Sequence, residues 1–170
     1  MRNIALSVVL IVPFLLPAVA AEGDAGCDKF AWSLARERAL FAGADKITVA
    51  VGEKLAAVLD RALLIKLRPS DKVLFVLPPE RKPRSERWFG GAISFGAVPR
   101  SGIYQVTLSE DAWVDIIQNN QYLRSAGSSG RRDCAGVRKS IRLELSAAPF
   151  VMQISGVESD TVLLAIRPSE

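Results

Sequence analysis

From Ile47 onward the chain is a succession of short segments in which apolar residues recur at every second position, and that period of two limits its fold more than any other feature. The segments "ITVAV", "ALLIKL", "KVLFVL", "GAISF", "IYQVTL", "AWVDIIQ", "SIRLEL", "FVMQIS" and "TVLLAI" are rich in β-branched or aromatic residues, and Gly, Pro, Asn, Asp and Ser separate them. Roughly seven to nine strands at this spacing predict a mainly β fold, an antiparallel β-sandwich of jelly-roll type. In "IRLEL" the alternation predicts Ile141, Leu143 and Leu145 inward, with Arg142 and Glu144 outward. Asn119 and Asn120 both tolerate positive φ and predict a two-residue hairpin. "GEKLAAVLDRA" is read as a helical turn between the first two strands, and "PPERKPRSERW", with three prolines and six charges, as an extended surface loop. The basic residues of that loop, Arg81, Lys82, Arg84 and Arg87, suit either electrostatic recognition beside Trp88 or a solvated excursion.

The one helical segment is "DKFAWSLARERALFAGAD", with helix formers dense over about residues 31–42 and a stop at Gly43. It is expected to pack on the sandwich. At 100° per residue Phe30, Leu34 and Phe41 share a face, and Glu37 falls within that stripe. A carboxylate on the buried side needs a partner, either a structural ion pair or amide hydrogen bonds, or else it is held for ligand contact or proton transfer.

Residues 1–20, "MRNIALSVVLIVPFLLPAVA", combine a basic start, an apolar run and an Ala-Val-Ala ending, the pattern of a secretory signal peptide cleaved near Ala20. The mature chain, residues 21–170, is then expected as one β-sandwich domain, periplasmic or secreted and without a transmembrane span. Removal of Arg2 lowers the formal charge from +4 by one unit, leaving mild basicity that permits an anionic partner. Two cysteines in an oxidising compartment predict a Cys27–Cys134 disulfide closing a loop of about 100 residues, worth about 4–5 kcal/mol by chain entropy. A reactive Cys134 beside Arg131, Arg132 and Arg138 is the competing reading, and it would need a base.

No histidine occurs in the chain, which removes Ser-His-Asp and Cys-His catalysis and nearly all catalytic zinc sites. No nucleotide-binding or zinc-protease motif is present, so neither cofactor nor nucleic acid is expected. "SAGSSG" lacks the lysine of a phosphate loop and is read as a flexible loop. Paired carboxylates are the remaining enzymatic machinery, with Glu37, Asp115, Glu110 and Asp111 as candidates. In "AWVDIIQ", Trp113 and Asp115 leave the sheet on the face opposite Ala112, Val114 and Ile116, with Tyr104 on the strand before. This arrangement suits stacking on a sugar ring, or a covered face if a second layer such as the N-terminal helix lies there.

"CDKFAWSLARERALF", "LPPERKP", "GIYQVTLSEDAWVDIIQN" and "SGRRDCAGVRKSIRLEL" together resemble an uncharacterised family of small secreted proteins from proteobacteria, which implies a compartment and no activity. The C-terminal half, "SGIYQVTLSEDAWVDI" with "FVMQISGVESDTVLLAI", is similar to pre-peptidase C-terminal domains and related jelly-roll modules, which implies an accessory β-sandwich, often carbohydrate-associated. The expected function is therefore non-enzymatic: an envelope-associated protein binding a polar or anionic ligand, glycans included. Its candidate residues are Arg131, Arg132, Arg138, Lys139, Trp113, Asp115 and Glu37. A carboxylate-dependent glycan hydrolase and a structural or assembly partner of the envelope are the alternatives.

Overall fold

The computed structural model describes residues 25–58 and 60–169, and the expected signal peptide lies outside the described residues. Among the described residues twelve strands form two sheets. The first sheet holds β1 (Lys46–Ala50), β3 (Ala62–Lys66), β12 (Thr161–Pro168), β6 (Gly102–Leu108), β10 (Lys139–Leu145) and β9 (Ser125–Gly130), in that spatial order. The second runs β2 (Lys54–Leu55), β5 (Phe89–Phe95), β11 (Phe150–Val157), β7 (Trp113–Gln118) and β8 (Gln121–Tyr122), with β4 (Arg68–Pro69) also paired to β5. Alternate residues of both sheets meet in one core that includes Ile65, Ile93, Phe95, Val106, Leu143, Met152 and Leu164. The fold is the expected β-sandwich.

Its pairing is mixed where a wholly antiparallel one was expected, because β1 runs parallel to β3 and β2 parallel to β5. Parallel neighbours need a crossover connection. Here the chain leaves the first sheet after β1, lends β2 to the second, and returns as β3; the segment read as a helical turn, "GEKLAAVLDRA", is this crossover. "SAGSSG" is likewise not a loop: it is β9, an edge strand paired antiparallel to β10. Small side chains leave that edge little to bury, which is why its strand character is weak in sequence. The Asn119–Asn120 turn joins β7 to β8 with φ of 54° and 61°, as expected.

Each sheet is covered on its outer face. The helix α1 (Ala35–Ala42), shorter at its start than expected, packs with Cys27, Phe30 and Leu34 against the first sheet over Ala62 and Ala165, where small side chains let it approach. Phe30, Leu34, Glu37 and Phe41 are all buried, the face the sequence assigned. The Cys27–Cys134 disulfide, 107 residues apart in sequence, closes this layer. Gly26 makes the approach possible: a Cβ there would stand 2.1 Å from Asp133 Oδ1. The second sheet is covered by residues 73–88, and this cover builds the site.

Candidate functional site

"KVLFVL" alternates like a strand but pairs with no strand among the described residues. It is a strap lying across the outer face of the second sheet, held by side chains that rise from the strands beneath. Gln153 of β11 accepts hydrogen bonds from the Val76 and Leu77 amides at 2.6 and 3.1 Å, and its Nε2 donates to the Leu77 carbonyl at 2.9 Å. The Glu80 amide donates to Asp115 Oδ2 at 3.3 Å, and the Tyr122 hydroxyl donates to the Pro78 carbonyl. Val73, Phe75 and Leu77 are half-buried, while Leu74 and Val76 point out, 81% and 56% exposed.

The strap explains Asp115. Both of its oxygens are engaged, Oδ2 by Glu80 and Oδ1 by Trp113 Nε1 at 2.6 Å, and the residue is 3% exposed. The cover anticipated over this face is thus residues 73–80, and the N-terminal helix lies on the other sheet. Burial raises the Asp115 carboxyl above its usual 3.8, against the lowering effect of its hydrogen bonds to Trp113 and Glu80. A group raised in the folded state contributes stability that is fully present below 3.8 and lost as pH climbs through the folded value. Asp115→Asn is therefore expected to lack that part of the pH dependence in denaturant titrations across the acidic range.

Beyond Glu80 the chain turns down the end of the sheet and walls a groove of about 580 Å³. Arg81, Lys82, Arg84 and Arg87 with Trp88 line it from the continuation of the strap, and Arg132, Arg138 and Lys139 with Trp113 line it from the segment entering β10 and the start of β7. Ser155 and Gly156 contribute to the floor, and the carboxylates present are Glu110, Asp111 and Glu158. Seven cations against three carboxylates leave an excess of four, as large as the formal charge of the whole chain. Gly156, at φ of 77°, sits where the β11 register shifts, and Pro83 rests above it, which fixes the loop against the sheet.

Trp113 anchors the cations. Arg81 lies 5.4 Å and Lys139 5.2 Å from its ring centroid, so the ring is engaged in cation–π contacts. Lys139 also donates to the Ala112 carbonyl, and burial lowers its ammonium below the usual 10.5, with Asp111 opposing that shift. Arg138 donates to the Arg132 and Cys134 carbonyls at 2.9 and 2.6 Å, which stiffens the loop that presents Arg132.

The structure therefore brings together Arg132, Arg138, Lys139 and Trp113, keeps Asp115 bonded to Trp113 but covered by the strap, and separates Arg131 and Glu37 from them. Arg131 points to the N-terminal segment, donating twice to the Lys29 carbonyl at 3.0 and 2.8 Å. Glu37 lies beneath the helix on the first sheet, where Gln105 Nε2 donates to it at 2.9 Å and Gln105 Oε1 receives Arg142 Nε at 3.1 Å. Glu37 and Asp115 thus stand on opposite outer faces of the sandwich. Glycosidase carboxylates sit about 5–9.5 Å apart, while the two sheets alone are about 10 Å apart, so these two cannot flank one bond. No protein-family model matches the chain, and no curated protein matches it.

Proposed function

We propose that this chain is a non-enzymatic binding protein of the periplasm or cell exterior whose ligand is anionic, with charged glycans as the leading class. One observation carries the reading: two loops about 50 residues apart in sequence, 81–88 and 132–139, converge their cations on one groove. A cation excess in a concave site focuses field and raises the local concentration of anions. The cations on Trp113 favour the charged part of a ligand over an uncharged ring stacked there. The disulfide supports an oxidising compartment, as does the secretory pattern of residues 1–20.

Titration calorimetry with a heparin oligosaccharide tests this, with neutral dextran as control. The exposed residues Arg84, Arg87 and Arg132 are replaced together by Gln. The triple variant is expected to keep its melting temperature, lose about tenfold or more in affinity, and show a shallower fall of affinity with salt. Unchanged affinity in the triple variant would sink the groove as the binding site. A second reading, an assembly partner in the envelope, is favoured by the exposed ridge of Leu74 and Val76. It predicts a stoichiometric protein complex that Leu74→Ser with Val76→Ser abolishes while heparin binding persists.

A further inference from the structure

Ser155 is 2% exposed, and its hydroxyl has no hydrogen-bond partner among the described residues. Buried hydroxyls are almost always paired, so one left over at the floor of a groove needs an explanation. Ser155 pairs in register with Trp113, so the two side chains leave the sheet on the same face, and Arg81 and Lys139 lie 5.4 and 5.2 Å from the Trp113 ring centroid. Trp88 closes the other side. A Cβ on the adjacent Gly90 would stand 2.8 Å from the Trp88 ring and 3.3 Å from Ser155 Cα, so the absence of a side chain at position 90 lets the indole lie down against the strand.

We propose that Ser155 Oγ is the floor donor of a subsite for a tetrahedral oxyanion, a sulfate or phosphate ester carried on an anionic glycan, with Arg81 and Lys139 meeting its other oxygens. The proposal rests on the groove being the binding site and specifies what it selects. A carboxylate presents two oxygens in one plane, which a single guanidinium fork satisfies. A hydroxyl on β11 and cations from two other segments supply donors from three separate parts of the chain, which suits an ester with three terminal oxygens. Lys139 spends one of its three donors on Ala112 and keeps the others. The groove, about 580 Å³, has the size of a small-molecule site, so an inorganic anion occupies only part of it and the ester belongs to something larger.

Calorimetry at fixed salt compares a heparin oligosaccharide, a phosphomannan fragment and an oligogalacturonate of matched charge, with inorganic sulfate and phosphate as competitors. The two ester-bearing glycans are expected to bind about tenfold tighter than the carboxylate one, the effect of one charge-assisted hydrogen bond. Ser155→Ala is expected to erase that preference while leaving oligogalacturonate affinity unchanged. It is also expected to raise the melting temperature by roughly 2 °C or more, since an unpaired buried hydroxyl is removed. A preference that survives in Ser155→Ala, or a lowered melting temperature, overturns the subsite and leaves the groove reading standing. Displacement by inorganic sulfate or phosphate at micromolar concentration overturns the glycan as carrier. Failure of all three glycans to bind overturns the groove reading itself.

Discussion

Replacing Cys27 and Cys134 together by Ala is expected to lower the unfolding free energy by about 4 kcal/mol and the melting temperature by roughly 8–16 °C. The bridge closes a span of 107 residues, so the reduced chain regains a large loop entropy on unfolding. The folded state should survive the change. The core between the sheets contains neither cysteine, whereas both belong to the smaller cluster under the helix with Phe30, Leu34, Phe41 and Val137. Without the bridge the 131–138 loop stays tied to the N-terminal segment by the Gly26 amide on the Asp133 carbonyl, by Arg131 on the Lys29 carbonyl and by the exposed Lys29–Asp133 pair at 3.1 Å, the last of which contributes little. Anion affinity should fall in the double variant even where it is fully folded, because the loop that presents Arg132 and Arg138 loses its covalent tie to the N-terminal segment. Thermal melts with and without reductant check the first claim: a shift below about 2 °C would mean that the unfolded chain is not constrained by the bridge.

What was legible in the sequence was what local chemistry decides alone. The alternation of Ile141, Leu143 and Leu145 fixes which face of β10 is buried, two adjacent asparagines permit the φ values their turn requires, and a lone pair of cysteines has one way to bridge. The buried stripe Phe30, Leu34, Glu37 and Phe41 follows from helical period, although the partner of Glu37 does not. Gln105 is nearly 70 residues away, and nothing in either segment names the other. The strap was illegible for a different reason. Val73 to Leu77 alternate in burial as a strand does, and periodicity does not tell whether the backbone amides meet a neighbouring strand or a side chain. The available signal lay in Gln153 and Asp115, polar residues at outward positions of central strands, which ask for backbone from outside the sheet. The groove then followed from the strap, so Ser155 was hidden with it, and the basic loop beside Trp88, legible by itself, gave no sign that it converges with Arg132, Arg138 and Lys139.

Gln153→Met is expected to cost about 3 kcal/mol despite nearly conserved volume. The side chain is 1% exposed and makes three hydrogen bonds to the strap, to the Val76 and Leu77 amides and the Leu77 carbonyl. Methionine fills the space and leaves those backbone groups unmatched, so the strap must either bury them unpaired or lift into water. Lifting predicts faster trypsin cleavage at Lys72 or Arg81, which checks the mechanism separately from the melting temperature. The consequence for binding is sharper. Phe75 stacks on Trp88 at 6.2 Å with 10° between the rings, and the strap continues directly into Arg81, Lys82, Arg84 and Arg87. A released strap takes one wall of the groove with it. Heparin affinity in Gln153→Met should accordingly fall as it does when the arginines themselves are replaced, although no charge has been removed. A variant that melts and cleaves like the parent would show that Gln153 does not hold the strap. One that loosens the strap yet binds heparin fully would show that the second wall, Arg132 to Lys139, suffices by itself.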